Sequence, residues 1–114
     1  MEWDIFNKRI KKVIEGIEDE MELYEVWSEY LKEKLNFPFE AEVSEYQHPG
    51  SMLHDIDRVQ VIDIYRVEEM YGIIAEIKVN NKYTYFPLCD FEAVDLAEEG
   101  KQALKDYKIW FANS

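Results

Sequence analysis

The chain has 114 residues, 25 of them acidic against 13 basic, for a formal charge of −12. That balance repels phosphate backbones and anionic lipid, which makes nucleic acid and membrane surfaces poor partners. With 47% hydrophobic and 15% aromatic residues it is too apolar for a disordered acidic tail, and its length suits one ordinary core.

A single cysteine, Cys89, excludes an internal disulfide framework and fits a reducing compartment. No charged-then-apolar leader opens the chain, and its apolar runs are far shorter than the roughly 18 residues of a membrane span. The expectation is a soluble, cytoplasmic protein with one domain over residues 1–114. Most of the excess acid sits in the middle. Residues 40–95 hold twelve acids and four bases, residues 1–39 ten and six, and residues 96–114 three of each.

In chain order, Trp3, Phe6, Ile10, Val13, Ile14 and Ile17 mark one helical stripe, with Lys8, Arg9, Lys11 and Lys12 interrupting the opposite face. This predicts a helix over about 2–16, stopped at Gly16 by a left-handed cap. Asp19 and Glu22 form a D-x-x-E capping box for a second helix over about 19–35, with Tyr24, Trp27, Leu31 and Leu35 at helical spacing. Asn36 and Pro38 end it, because the residue before proline disfavours helix.

The period then changes from helical to alternating. "FEAEVSEY" sets Phe39, Ala41 and Val43 against Glu40, Glu42 and Ser44, a half-buried strand over about 39–46. "QHPGSMLHDI", residues 47–56, reads as a loop, and β-branched residues predict a strand over about 57–67. Asp63 falls in register with Val59, Val61 and Tyr65, so either the strand bulges there or Asp63 faces inward with a partner such as Arg58 or Arg66. Strands over about 71–79 and 82–88 flank Asn80-Asn81, a two-residue hairpin signal, and Pro87 marks a strand end or edge. A last helix over about 95–111 begins with Asp95 and Glu98 as a second D-x-x-E and carries Leu96, Ala103, Leu104, Tyr107 and Phe111 on one face. The predicted class is α+β: two helices, a small twisted antiparallel four-stranded sheet or partly closed barrel, and a closing helix.

Two Phe-Pro pairs precede carboxylates, in "FPFEAE" (Phe37–Glu42) and "FPLCDFEAVD" (Phe86–Asp95). Calcium takes about 6–8 oxygen ligands from carboxylates, carbonyls and water, so its site needs several acids on backbone stiff enough to hold them. Glu40 and Glu42 share one face of a strand, and Asp90, Glu92 and Asp95 lie on what reads as an irregular turn. Asp55 and Asp57 stand at a loop end. None of this matches the EF-hand pattern. Each group also has a plain structural reading. Glu40 and Glu42 suit any solvent-facing strand, Asp95 suits a helix cap, and Asp55 and Asp57 suit local loop hydrogen bonds.

Other chemistries fit less well. His48, His54 and Cys89 are too few and too scattered for a zinc site. Adjacent carboxylates raise a thiol pKa, so Cys89 is a poor nucleophile, and four glycines build no phosphate-cradling loop.

Taken together, "WSEYLKEKLNFPFEAEV", the strand pair around "YGIIAEI", "KYTYFPLCDFEAVD" and the closing "DYKIWF" resemble the CcbP-type calcium-binding protein family over roughly residues 24–111. The ordered pair "LNFPFEAEV … FPLCDFEAVD" is the most specific part. The resemblance implies a small acidic protein that binds calcium without EF-hands and without catalysis, as a buffer or sensor. Glu40, Glu42, Asp90 and Glu92 sit in the matching motifs; Asp95 and Asp57 complete the expected ligand set. The basic first helix and "SEYQHPGSMLHD" look particular to this chain. The rival reading is an acidic protein-interaction module with no specific metal site and an unidentified partner.

Overall fold

The computed structural model describes residues 7–43 and 58–113. In order these form α1 (Lys8–Ile14), α2 (Glu20–Lys34), β1 (Phe39–Val43), β2 (Arg58–Glu68), β3 (Gly72–Val79), β4 (Lys82–Pro87), β5 (Phe91–Ala93) and α3 (Glu98–Ala112). A 3₁₀ turn at Leu88–Asp90 joins β4 to β5. The class is α+β, as expected. Residues 1–6, with Trp3 and Phe6, the predicted loop over 47–56, and Asp57 lie outside the described residues. No helix among the described residues is long and apolar enough to cross a membrane.

Local chemistry explains the helix ends. Asn7 caps α1 by accepting the Ile10 amide at 2.9 Å, and Gly16 follows with φ +76°. Asp19 caps α2 by accepting the Glu22 amide at 3.0 Å, the capping-box contact foreseen. Glu20 and Glu22 in its first turn and Lys32 and Lys34 in its last match the helix dipole. The start of α3 differs from expectation. Its N-cap is Ala97, which makes no side-chain cap, and the helix begins at Glu98 rather than at Asp95. The Asp95 carboxylate is engaged elsewhere, as described below.

The sheet has five strands rather than four, in the order β4-β3-β2-β1-β5, all antiparallel and open rather than closed into a barrel. The added strand is β5, in the stretch that reads as an irregular turn. Asn80 and Asn81, with φ +50° and +66°, turn β3 into β4 as a two-residue hairpin. Register shifts between Val61 and Asp63 and again between Ile64 and Arg66 mark irregularities in β2. The first explains the broken alternation: the strand bulges, Asp63 is exposed, and its carboxylate accepts the neighbouring Ile64 amide at 2.8 Å. Arg58 and Arg66 pair instead with Glu42 and Glu68.

One face of the sheet is dry. Phe39, Ala41, Val59, Val61, Ile73, Ala75, Ile77 and Phe91 are buried against the helices in a single cluster with Ile10, Trp27, Leu31, Leu104, Tyr107 and Trp110. Trp27 of α2 and Tyr107 of α3 meet at ring centroids 5.7 Å apart, and Tyr24 meets Trp110 edge-on at 5.3 Å. Two polar ties lock α3 in place. The Tyr107 hydroxyl accepts the buried Ile73 amide at 2.9 Å, and burial pushes its pKa well up. Gly72 makes this approach possible: at φ +72°, an added Cβ would lie 2.5 Å from that hydroxyl.

The second tie is fully buried Asp106, which receives Arg9 Nε at 2.8 Å, Asn7 Nδ2 at 2.9 Å and Gln102 Nε2 at 3.0 Å. Burial alone would raise the Asp106 pKa, but the hydrogen bonds from Arg9, Asn7 and Gln102 together outweigh it and hold the carboxyl below its ordinary value. Asn7 therefore caps α1 and fastens it to α3 at once.

Candidate metal site

The opposite face of the sheet carries the acids, and strand period decides which ones. Phe39 and Ala41 are buried, so Glu40 and Glu42 turn outward on β1. Phe91 is buried on β5, so Glu92 turns outward as well. The two Phe-Glu-Ala triplets belong to neighbouring antiparallel strands, with Ala41 opposite Ala93, Glu42 opposite Glu92 and Val43 opposite Phe91. Glu42 and Glu92 thus face each other on the outer side, where directly opposed Cβ atoms lie about 4.5–5.5 Å apart.

Asp95 secures this arrangement from behind. It accepts the Glu40 amide at 2.8 Å, while the Val94 amide donates to the Glu40 carbonyl at 2.9 Å. The ladder between β1 and the β5 end is thereby extended by a carboxylate in place of a backbone carbonyl. Asp90 lies at the end of the 3₁₀ turn, half-buried, with its carboxylate accepting from the Cys89 thiol at 4.0 Å.

Cations border the acids on one side. Glu42 pairs with Arg58 across β1 and β2, and the Arg58 guanidinium lies 3.8 Å from the Glu42 carboxylate with both side chains about half exposed. In the next row Glu40 faces Gln60, and Gln60 faces Lys78 of β3. A cleft of about 350 Å³ runs here, lined by Glu40, Arg58, Gln60, Lys78, Asn80 and Asn81. Arg58 and Lys78 thus flank the acids of β1, while Asp63 and Glu68 of β2 and Glu76 of β3 lie further along the sheet.

Of the six expected ligands, the structure brings Glu40, Glu42 and Glu92 onto one face, ties Asp95 to the backbone of β1, and sets Asp90 just before β5. Asp57 lies outside the described residues. Among the described residues no group of three or more His, Cys, Asp or Glu side chains is gathered closely enough to hold a metal ion. Carboxylate oxygens are hard donors, the type that calcium takes and zinc takes less readily, and a full calcium shell needs about 6–8 oxygens. Sequence reasoning missed Arg58 as the neighbour of Glu42. Its signal was the pairing of the strand that follows the 44–57 connection with the strand that precedes it.

Known proteins share both the sequence pattern and the fold of this chain. A family model for CcbP-type proteins, described as calcium binding, matches residues 8–111. The chain belongs to the CcbP-type calcium-binding family. Two solved structures share the fold. One is Anabaena CcbP, with a TM-score of 0.74 and 23% identity, covering 93% of this chain and 91% of that one. The other is described as a calcium binding protein in the calcium-binding form, with a TM-score of 0.72 and 23% identity over 92% of this chain and 87% of that one. No curated protein matches. Calcium is thus the cation of this CcbP-type family, and both coverages extend beyond the sheet to the helices.

Proposed function

We propose that this chain is a non-catalytic calcium-binding protein, a buffer or sensor, and that its ion sits on the outer face of β1 and β5. The observation that carries this reading is the register that sets Glu42 opposite Glu92. Two like charges so placed repel each other, and a divalent cation between them removes the repulsion while gaining two carboxylate ligands. Glu40 adds a third carboxylate to the same face, and Asp90 lies one turn ahead on the chain.

The role of Asp95 is positioning, since it fastens the Glu40 amide and keeps β1 and β5 together beyond the last ladder pair. With the acids spread along a face, and no dedicated chelating loop among the described residues, the affinity belongs to the weaker calcium modules, about 10⁻⁵–10⁻³ M. Occupancy at roughly a hundred times the dissociation constant stabilises the fold by about 2.7 kcal/mol. A thermal melt in calcium, in magnesium and in matched ionic strength tests the reading; equal shifts in all three would count against a specific site.

A further inference from the structure

Between α3 and β5 lies a cleft of about 570 Å³ whose walls include Lys101, Lys105 and Lys108, with Leu104 and Ile109 among its apolar lining and Glu92 on the rim. We propose that this cleft is the docking site for a short acidic peptide segment of a partner protein. The three lysines recur at intervals of four and three residues, so they stand in one stripe along the helix. They are all the bases of α3, while its acids are placed elsewhere: Glu98 and Glu99 in the first turn, and Asp106 buried beneath Arg9.

Lys108 is anchored, donating to the Phe91 carbonyl at 3.0 Å, and so joins the helix to β5 along the cleft. Among the described residues, neither Lys101 nor Lys105 makes an ion pair. In a chain of net charge −12, this is a local surface of opposite sign over apolar side chains. The screening length of about 8–10 Å at ordinary ionic strength limits repulsion from distant acids, so the nearest charges decide what binds. Lys101 to Lys108 spans about 10 Å of helix, the length of three or four extended peptide residues. A segment alternating carboxylate and apolar side chains matches that length, that charge and that floor.

Glu92 joins this cleft to the sheet's outer face. Resting on the calcium reading above, a cation held at Glu92 neutralises the one side-chain carboxylate that lines the cleft among the described residues, and so tightens the acidic segment. The protein then reports calcium by holding its partner more firmly.

The test is fluorescence anisotropy with a labelled eight-residue peptide of alternating glutamate and leucine, in chelator and near-physiological salt. Saturable binding is expected, weakened at least about tenfold in K101E/K105E and less in K101Q/K105Q, each checked by its melting temperature. E92Q should bind the peptide more tightly than the unaltered chain in chelator. Equal affinity for the unaltered chain and the lysine variants, no saturable binding, or capture of anionic lipid vesicles in place of the peptide overturns the proposal. Because these arms contain no calcium, they judge the cleft even if a separate calorimetric titration finds no calcium binding.

Discussion

Glu42 of β1 stands directly opposite Glu92 of β5, and Arg58 of β2 approaches Glu42 from the other side at 3.8 Å. One row across three strands thus holds a cation, an acid and an acid. The buried Ala41 and Phe91 are what fix it, because each forces the glutamate after it to the wet side. Replacing both glutamates with glutamine should leave the metal-free protein as stable as before or firmer by about 0.2–1 kcal/mol, as like-charge repulsion is lost. The same double variant should lose most of its calcium-dependent rise in melting temperature. Paired melts in chelator and in calcium read both effects.

Arg58 acts in this account as a resident counterion that calcium must compete with. Arg58→Gln should tighten calcium about two- to fivefold at low salt, with the gain shrinking as salt rises. Calorimetric titrations at two ionic strengths measure it. A weaker calcium affinity in the variant would mean that Arg58 supports the site instead.

Asp95 should matter through its oxygen rather than its charge. Asp95→Ala removes the acceptor for the Glu40 amide and is expected to destabilise by about 0.5–1.5 kcal/mol. Asp95→Asn keeps a carbonyl oxygen and should cost less. Urea unfolding of both variants, compared at equal slope, decides between a positioning and a purely electrostatic role.

Acid should loosen the attachment of α1 to α3. The Asp106 carboxyl titrates below its ordinary value in the folded protein, so its contribution is fully present above the unfolded value of about 3.9. That contribution is lost as pH falls through the lower, folded value. Asp106→Asn should therefore unfold more easily at neutral pH and show a smaller loss of stability on acidification. Melting temperatures of both proteins across this pH range give the comparison.

Much of the fold is legible in residue periodicity, because burial imposes it. Tyr24, Trp27 and Leu31 are buried along α2 as their spacing requires, and Asp19 makes the cap its position foretells. Asp63 broke the alternation of β2 for a physical reason, the bulge. Two features escaped for reasons equally physical. Three-residue β5 is too short to display a period, and its pairing with β1 depends on partners about fifty residues away. Asp95 and Glu98 have the spacing of a capping box, but the Glu40 amide claims Asp95 across the sheet, and no local pattern records a tertiary competitor. For the same reason the echo of two Phe-Pro pairs followed by carboxylates was visible, whereas the register that opposes Glu42 and Glu92 was not.

Carbon-13 spectra of the glutamate side-chain carboxyl groups, followed through a calcium titration, interrogate the metal assignment at the atoms concerned. The resonances of Glu42 and Glu92 should move together and saturate along one binding curve, with magnesium producing a smaller or no displacement. If calcium binds while both signals stay where they were, the ion lies somewhere else and the facing glutamates are surface charge alone.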